Sequence, residues 1–220
     1  MLAAVLARLA RLHAHRAANL AVVNLRIAIG FAYIPAGLKK VLGQPFTDAD
    51  NRGAFHDFLH AFLATGGFYR FVGAMQLVAA VLLMTQRRAT LGAVVALPIA
   101  TAIAGFCWST ARPPTVIVTT LIVVGLLGLI AWEPRAWLGL VAPSAPPPPA
   151  APPPPIDLTL WAMCGLAVIA TYALLCLAVG EVYRPRRPTP DSAAYYVLPA
   201  MLLLPIATAV IERRRRRARR

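Results

Sequence analysis

Apolar residues gather in six blocks: 20–38, 66–85, 89–110, 115–132, 158–180 and 192–211. Each is close to the ~20 residues a helix needs to cross the hydrocarbon core of a bilayer. The pattern therefore predicts six spanning helices. The blocks differ in polar content. The first holds Asn24, Arg26 and Pro35, the second Arg70 at its entrance and Gln76 near its middle, and the third Pro98. The fourth has no charge and is rich in Val, Ile and Leu, whereas Pro199 and Pro205 interrupt the sixth. Proline is tolerated in a membrane helix when neighbouring groups satisfy the freed carbonyls. Trp108, Trp132, Trp137, Trp161, Tyr195 and Tyr196 fall near the predicted ends, where interfacial aromatic belts sit.

Two shorter segments show a different period. Leu2, Val5, Leu6, Leu9 and Leu12 share one helical face, with Arg8, Arg11 and His15 opposite. Arg8 and Arg11 would break the apolar core of a signal peptide, so residues 1–19 read as an interfacial helix on the inner leaflet. Between 54 and 65, Phe55, Phe58, Leu59, Phe62 and Leu63 oppose His56, Asp57 and His60. That segment is expected on the outer membrane surface or as a lid on the bundle.

Nine of the 20 prolines lie between Pro143 and Pro155. Such a run adopts polyproline II and spaces its ends by about 40 Å. It divides the chain into an interfacial segment (1–19), a four-span block (20–140), a linker (141–157), a two-span hairpin (158–211) and an arginine-rich tail (212–220).

Composition agrees with the pattern. The 220 residues are 59% hydrophobic and 14% charged, with a mean hydropathy of +0.67. Soluble domains average about 45–50% apolar and about 25% charged. A soluble globular chain and a disordered one are both excluded. The net charge of +14 is concentrated at the end, because removing residues 212–220 lowers it to +8. With the N-terminus inside, inner segments carry 13 Lys and Arg, outer segments carry eight, and Arg26 lies within a span. The positive-inside rule then places both termini in the cytoplasm, in a multi-pass protein of the plasma membrane. Arg213, Arg214, Arg215, Arg216, Arg217, Arg219 and Arg220 are expected to bind anionic lipid. They lack interleaved aromatics, so no nucleic-acid partner is expected.

Little in the sequence carries chemistry. Cys107, Cys164 and Cys176 sit in apolar runs without disulfide or metal spacing and read as packing residues. His56-Asp57-Phe58-Leu59-His60 superficially matches a zinc-protease motif. Asp is one methylene short for that general base and no third ligand follows, so it reads as the wet face of an interfacial helix. No metal site is expected. Arg26 and Gln76 are costly in a bilayer. Arg26 either snorkels to the inner headgroups or points into the bundle, toward Asn24, Gln76, Tyr33 or a ligand oxygen. Gln76 reads as glue between helices or as a ligand contact.

The run LRIAIGFAYIPAGLKKVLGQPF, residues 25–46, resembles the first span of the DoxX family of small membrane proteins, through Arg26, Gly30, Phe31, Gly37 and Lys39. The second span is similar in Gly73 and Gln76 and in the aliphatic run that follows, with Ala79 and Ala80 where the family has another glycine. The resemblance covers about residues 20–132. It implies a four-helix membrane bundle, giving an all-α fold of that bundle plus a C-terminal hairpin. Relatives include the DoxD-type subunit of a thiosulfate:quinone oxidoreductase and the MauE-type maturation protein.

Three readings follow. The first is an accessory or anchoring subunit of a membrane redox system, with an oxidoreductase as partner. In the second, a quinone-reactive subunit, Arg26 and Gln76 hold quinone oxygens, with Tyr33 and Lys39 near the mouth. The third is a small-solute or lipid transporter. No cofactor fingerprint is present, and a quinone is the one cofactor these residues suggest.

Overall fold

A computed structural model of the chain describes residues 2–110, 113–134, 155–179, 182 and 193–218. Among the described residues there are eight helices and no strand. They are α1 (Leu2–Ala14), α2 (Arg16–Val41), α3 (Ala54–Ala64), α4 (Gly67–Met84), α5 (Ala89–Thr110), α6 (Pro113–Trp132), α7 (Leu158–Val179) and α8 (Ala193–Ala218). Five are long and apolar enough to cross a membrane: Arg16–Val41, Gly67–Met84, Ala89–Thr110, Pro113–Trp132 and Leu158–Ala178. They lie on the first five predicted blocks. Among the described residues the fold is thus all-helical, with five apolar helices that suit a multi-pass membrane protein. The sixth block falls on α8, which continues through Pro199 and Pro205 and on into the arginine tail. Arg112, Arg135, Trp137, linker residues 141–154, Arg184, Arg186, Arg187, Ser192, Arg219 and Arg220 lie outside the described residues. So do the side chains of residues 2–5, Tyr195 and Tyr196.

Local chemistry sets the helix boundaries. α1 and α2 are separated at His15, where Asn19 Nδ2 donates to the carbonyls of His13 (2.8 Å) and His15 (3.0 Å). α2 closes at Gly43, whose φ of 68° favours glycine, with the Gly43 and Gln44 amides donating back to Lys40 and Lys39 carbonyls. Asp157 caps α7: its Oδ1 accepts from the amides of Thr159 and Leu160, both at 3.1 Å.

The helices form two compact units. One comprises residues 29–83 and 88–131, the other residues 1–28, 84–87 and 132–220, so α2 contributes to both. In the first unit α5 buries a stripe of small residues, Ala89, Gly92, Ala93, Ala96, Ala100, Ala104 and Cys107. Small side chains let membrane helices approach closely, and van der Waals contact then drives their association. Around this core Ile117, Val118, Leu121, Val124 and Leu127 of α6 are exposed, an apolar exterior that suits lipid. α3 lays its apolar face on the end of α5, with Phe55 and Phe58 rings 5.3 and 4.2 Å from Phe106.

In the second unit α7 and α8 pair antiparallel. Glu212 near the end of α8 accepts from the Asp157 amide (3.1 Å) and from Trp161 Nε1 (3.2 Å) at the start of α7. One turn earlier, the Thr208 hydroxyl donates to the Leu204 carbonyl of its own helix (2.7 Å). α1 joins this unit by His13, whose ring lies 4.2 Å from Trp132.

Candidate functional site

The polar residues buried in the apolar helices form two clusters, one in each unit. The first is built on a close crossing of α2 and α4. A Cβ added at Gly73 would sit 2.5 Å from Lys40 Cβ, 2.8 Å from the Gly37 carbonyl and 2.9 Å from the Val41 amide. A Cβ at Gly37 would meet the Gly73 carbonyl and the Leu77 side chain, each at 2.9 Å. Only hydrogen fits at either position. Each glycine is followed three residues later by a polar residue, Lys40 on α2 and Gln76 on α4. Helical side chains lean toward the N-terminus, so Lys40 reaches back along α2. Its Nζ donates to Gln76 Oε1 (2.9 Å) and to the Ala36 carbonyl (3.3 Å). The loop after α2 folds over this pair, bringing the Phe46 ring 4.2 Å from Nζ. The Tyr69 ring is 6.0 Å away, and its hydroxyl donates to the Gln44 carbonyl (2.7 Å). Lys40 and Gln76 are 6% and 1% exposed, so the cation is shielded by an amide oxygen and ring faces.

The second cluster surrounds Arg26. It is 5% exposed, which settles its direction: the side chain turns into the protein. Nη1 donates to Gln86 Oε1 (3.4 Å) and Nη2 lies 3.8 Å from Glu133 Oε1. Gln86 is itself buried and has φ of 63°, a left-handed conformation that non-glycine residues seldom adopt. The short α4–α5 turn demands that backbone, and the Gln86 side chain donates back to the Met84 carbonyl (3.4 Å). Beside it Gly165 of α7 faces the Met84 carbonyl so closely that no Cβ fits. Three buried side-chain nitrogens have no hydrogen-bond partner among the described residues, Arg26 Nε, His13 Nε2 and Arg16 Nε.

Of the four residues singled out from sequence, Arg26 lies in one unit and Tyr33, Lys39 and Gln76 lie in the other. Arg26 belongs to one cluster and Gln76 to the other, each with its own partner. Tyr33 is buried and donates to the Ala96 carbonyl (3.2 Å), tying α2 to α5. Lys39 is turned outward, its Nζ donating to the Pro45 carbonyl (3.4 Å). Asn24 bonds the Leu20 carbonyl of its own helix (2.8 Å). In the zinc-protease look-alike, His56 Nδ1 pairs with Thr47 Oγ1 at 2.6 Å and His60 Nε2 lies 3.2 Å from the Asp48 carbonyl.

Sequence reading missed Lys40, Gln86, Glu133 and Glu212. For Lys40 a signal existed in the matching spacing of Gly37 to Lys40 and Gly73 to Gln76. The other three are polar residues at helix ends, which look ordinary until the fold surrounds them. No family model matches this chain, and no curated protein and no solved structure matches it either.

Proposed function

We propose that the protein is a DoxX-like scaffold of the plasma membrane, an accessory or anchoring subunit that holds a membrane-associated oxidoreductase. One observation carries this reading: Lys40, Gln76, Tyr33 and Arg26, all buried, each bond a partner on another element of the protein. Lys40 bonds Gln76, Tyr33 bonds a backbone carbonyl, and Arg26 bonds Gln86 and approaches Glu133. Interhelical hydrogen bonds of this kind hold membrane helices in one arrangement. On this reading α2, α4, α5 and α6 are the family's four-helix bundle, and the apolar part of α8 is a sixth span. The arginine excess holds both termini in the cytoplasm. Affinity purification from native membranes in mild detergent tests it. A redox enzyme recovered in fixed ratio to the chain is expected, and recovery of the chain alone overturns it.

A second reading has one observation in its favour. Arg26 Nε is buried without an acceptor among the described residues, and a quinone carbonyl oxygen would supply one. Arg26 would then hold a quinone, and the chain would be the quinone-reactive subunit of its complex.

A further inference from the structure

The arginine tail, treated by sequence as seven equivalent charges, has two faces in the structure. Helix α8 continues to Ala218, so Arg213–Arg217 are wound about 100° apart per residue rather than strung along a coil. Arg215 and Arg216 lie three and four residues past Glu212 and share its face. That face meets the start of α7. Arg216 Nη2 is 3.1 Å from Glu212 Oε1, and Arg215 Nη1 is 4.0 Å from Asp157 Oδ2. Arg16 at the start of α2 adds a contact to Glu212 at 3.5 Å. These groups enclose Glu212, whose side chain is 2% exposed, beside a cleft of about 400 Å³ lined by Ile156, Asp157, Glu212, Arg215 and Arg216.

Arg213, Arg214 and Arg217 fall one, two and five residues past Glu212, on the opposite side of the helix. All three are exposed, as is Arg215, but among the described residues none of the three has an ion-pair partner. They follow directly on the apolar run Leu202–Ile211. Three guanidinium groups are thus stacked within little more than one turn, directly past that apolar run. We propose that α8 binds anionic phospholipid headgroups through this face alone, Arg213, Arg214 and Arg217. Arg215 and Arg216 act inward, as counter-ions of Asp157 and Glu212. The face fits phosphate because guanidinium offers paired donors to phosphate oxygens and sits close enough to the bilayer to use them. This rests on the proposed placement of the apolar part of α8 in the bilayer, and it is independent of whether the helical core anchors a partner or holds a quinone.

The test uses the full chain reconstituted in phosphatidylcholine vesicles. Spin-labelled phosphatidylglycerol and spin-labelled phosphatidylcholine are compared for association with the protein, and thermal stability is measured in parallel. R213Q/R214Q/R217Q should lose the anionic preference, by about fivefold per arginine, with its Tm unchanged. R215Q/R216Q should retain the preference to within about twofold while its Tm falls. Equal losses of preference in both variants would overturn the two-faced assignment, because charge alone would then explain binding. An unchanged preference in the triple variant, with only co-purifying nucleic acid lost, would overturn it in favour of a different partner.

Discussion

Replacing Gly73 by alanine adds one methyl group at the tightest part of the α2–α4 crossing. That methyl would lie 2.5–2.9 Å from Lys40 Cβ, the Gly37 carbonyl and the Val41 amide, and two of those three are backbone. Backbone of two packed helices cannot rotate aside as a side-chain tip does, so the helices must separate. Overpacking of this kind costs about 1–3 kcal/mol. Separation also stretches the 2.9 Å bond between Lys40 and Gln76. For a chain of this size, that loss lowers Tm by roughly 2–12 °C. The controls are Gly105→Ala on α5 and Gly128→Ala on α6, where an added Cβ meets nothing within 4 Å. Those should hold Tm or raise it slightly, since alanine is the better helix former. Cys107 and Cys164 are buried, so reaction of a fluorogenic maleimide during heating reports unfolding. The reasoning is refuted if Gly73→Ala melts with wild type, or if the two controls fall as far as it does.

The two lysines that end α2 should behave oppositely. Lys40→Ala leaves Gln76 buried without its donor and costs about 1–3 kcal/mol, whereas Lys39→Ala stays within about 0.5 kcal/mol. A Lys40→Met, Gln76→Leu pair should lose less than the sum of its singles in a double-mutant cycle. Additive losses would show that the two residues do not interact. At the α4–α5 turn, Gln86→Ala keeps the left-handed backbone and removes the acceptor for Arg26, while Gln86→Gly removes the acceptor and the strain together. The glycine variant should therefore be the more stable of the two by about 1 kcal/mol in chemical unfolding. Equal stabilities would mean that the φ of 63° carries no strain.

The parts of the structure that depend on chain-local pattern could be read early. The five helices lie on the first five blocks because about 20 consecutive apolar residues encode a span without reference to neighbours. The phenylalanine face of α3 followed equally from helical spacing. Burial of a polar side chain depends on what another element brings to it. Lys39 and Lys40 are adjacent and alike in charge, and the Gly37–Gly73 crossing decides which one is enclosed. Arg26 was visible because it interrupts an apolar run. Its partners Gln86 and Glu133 were not, since a polar residue in a turn or just past a helix end is ordinary. Glu212 was masked by five following arginines and read as part of the arginine-rich tail. Pairing of α7 with α8 makes it one of the most deeply buried polar residues described.

The central claim is that the buried polar groups hold helices together rather than a ligand. It is tested most directly by the quinone content of the protein purified from native membranes, as wild type and as Arg26→Leu, with Tm measured on the same samples. The account predicts no stoichiometric quinone in either chain and a lower Tm for Arg26→Leu, because Gln86 and Glu133 lose their buried partner. One quinone per wild-type chain, absent from Arg26→Leu at unchanged Tm, would contradict it.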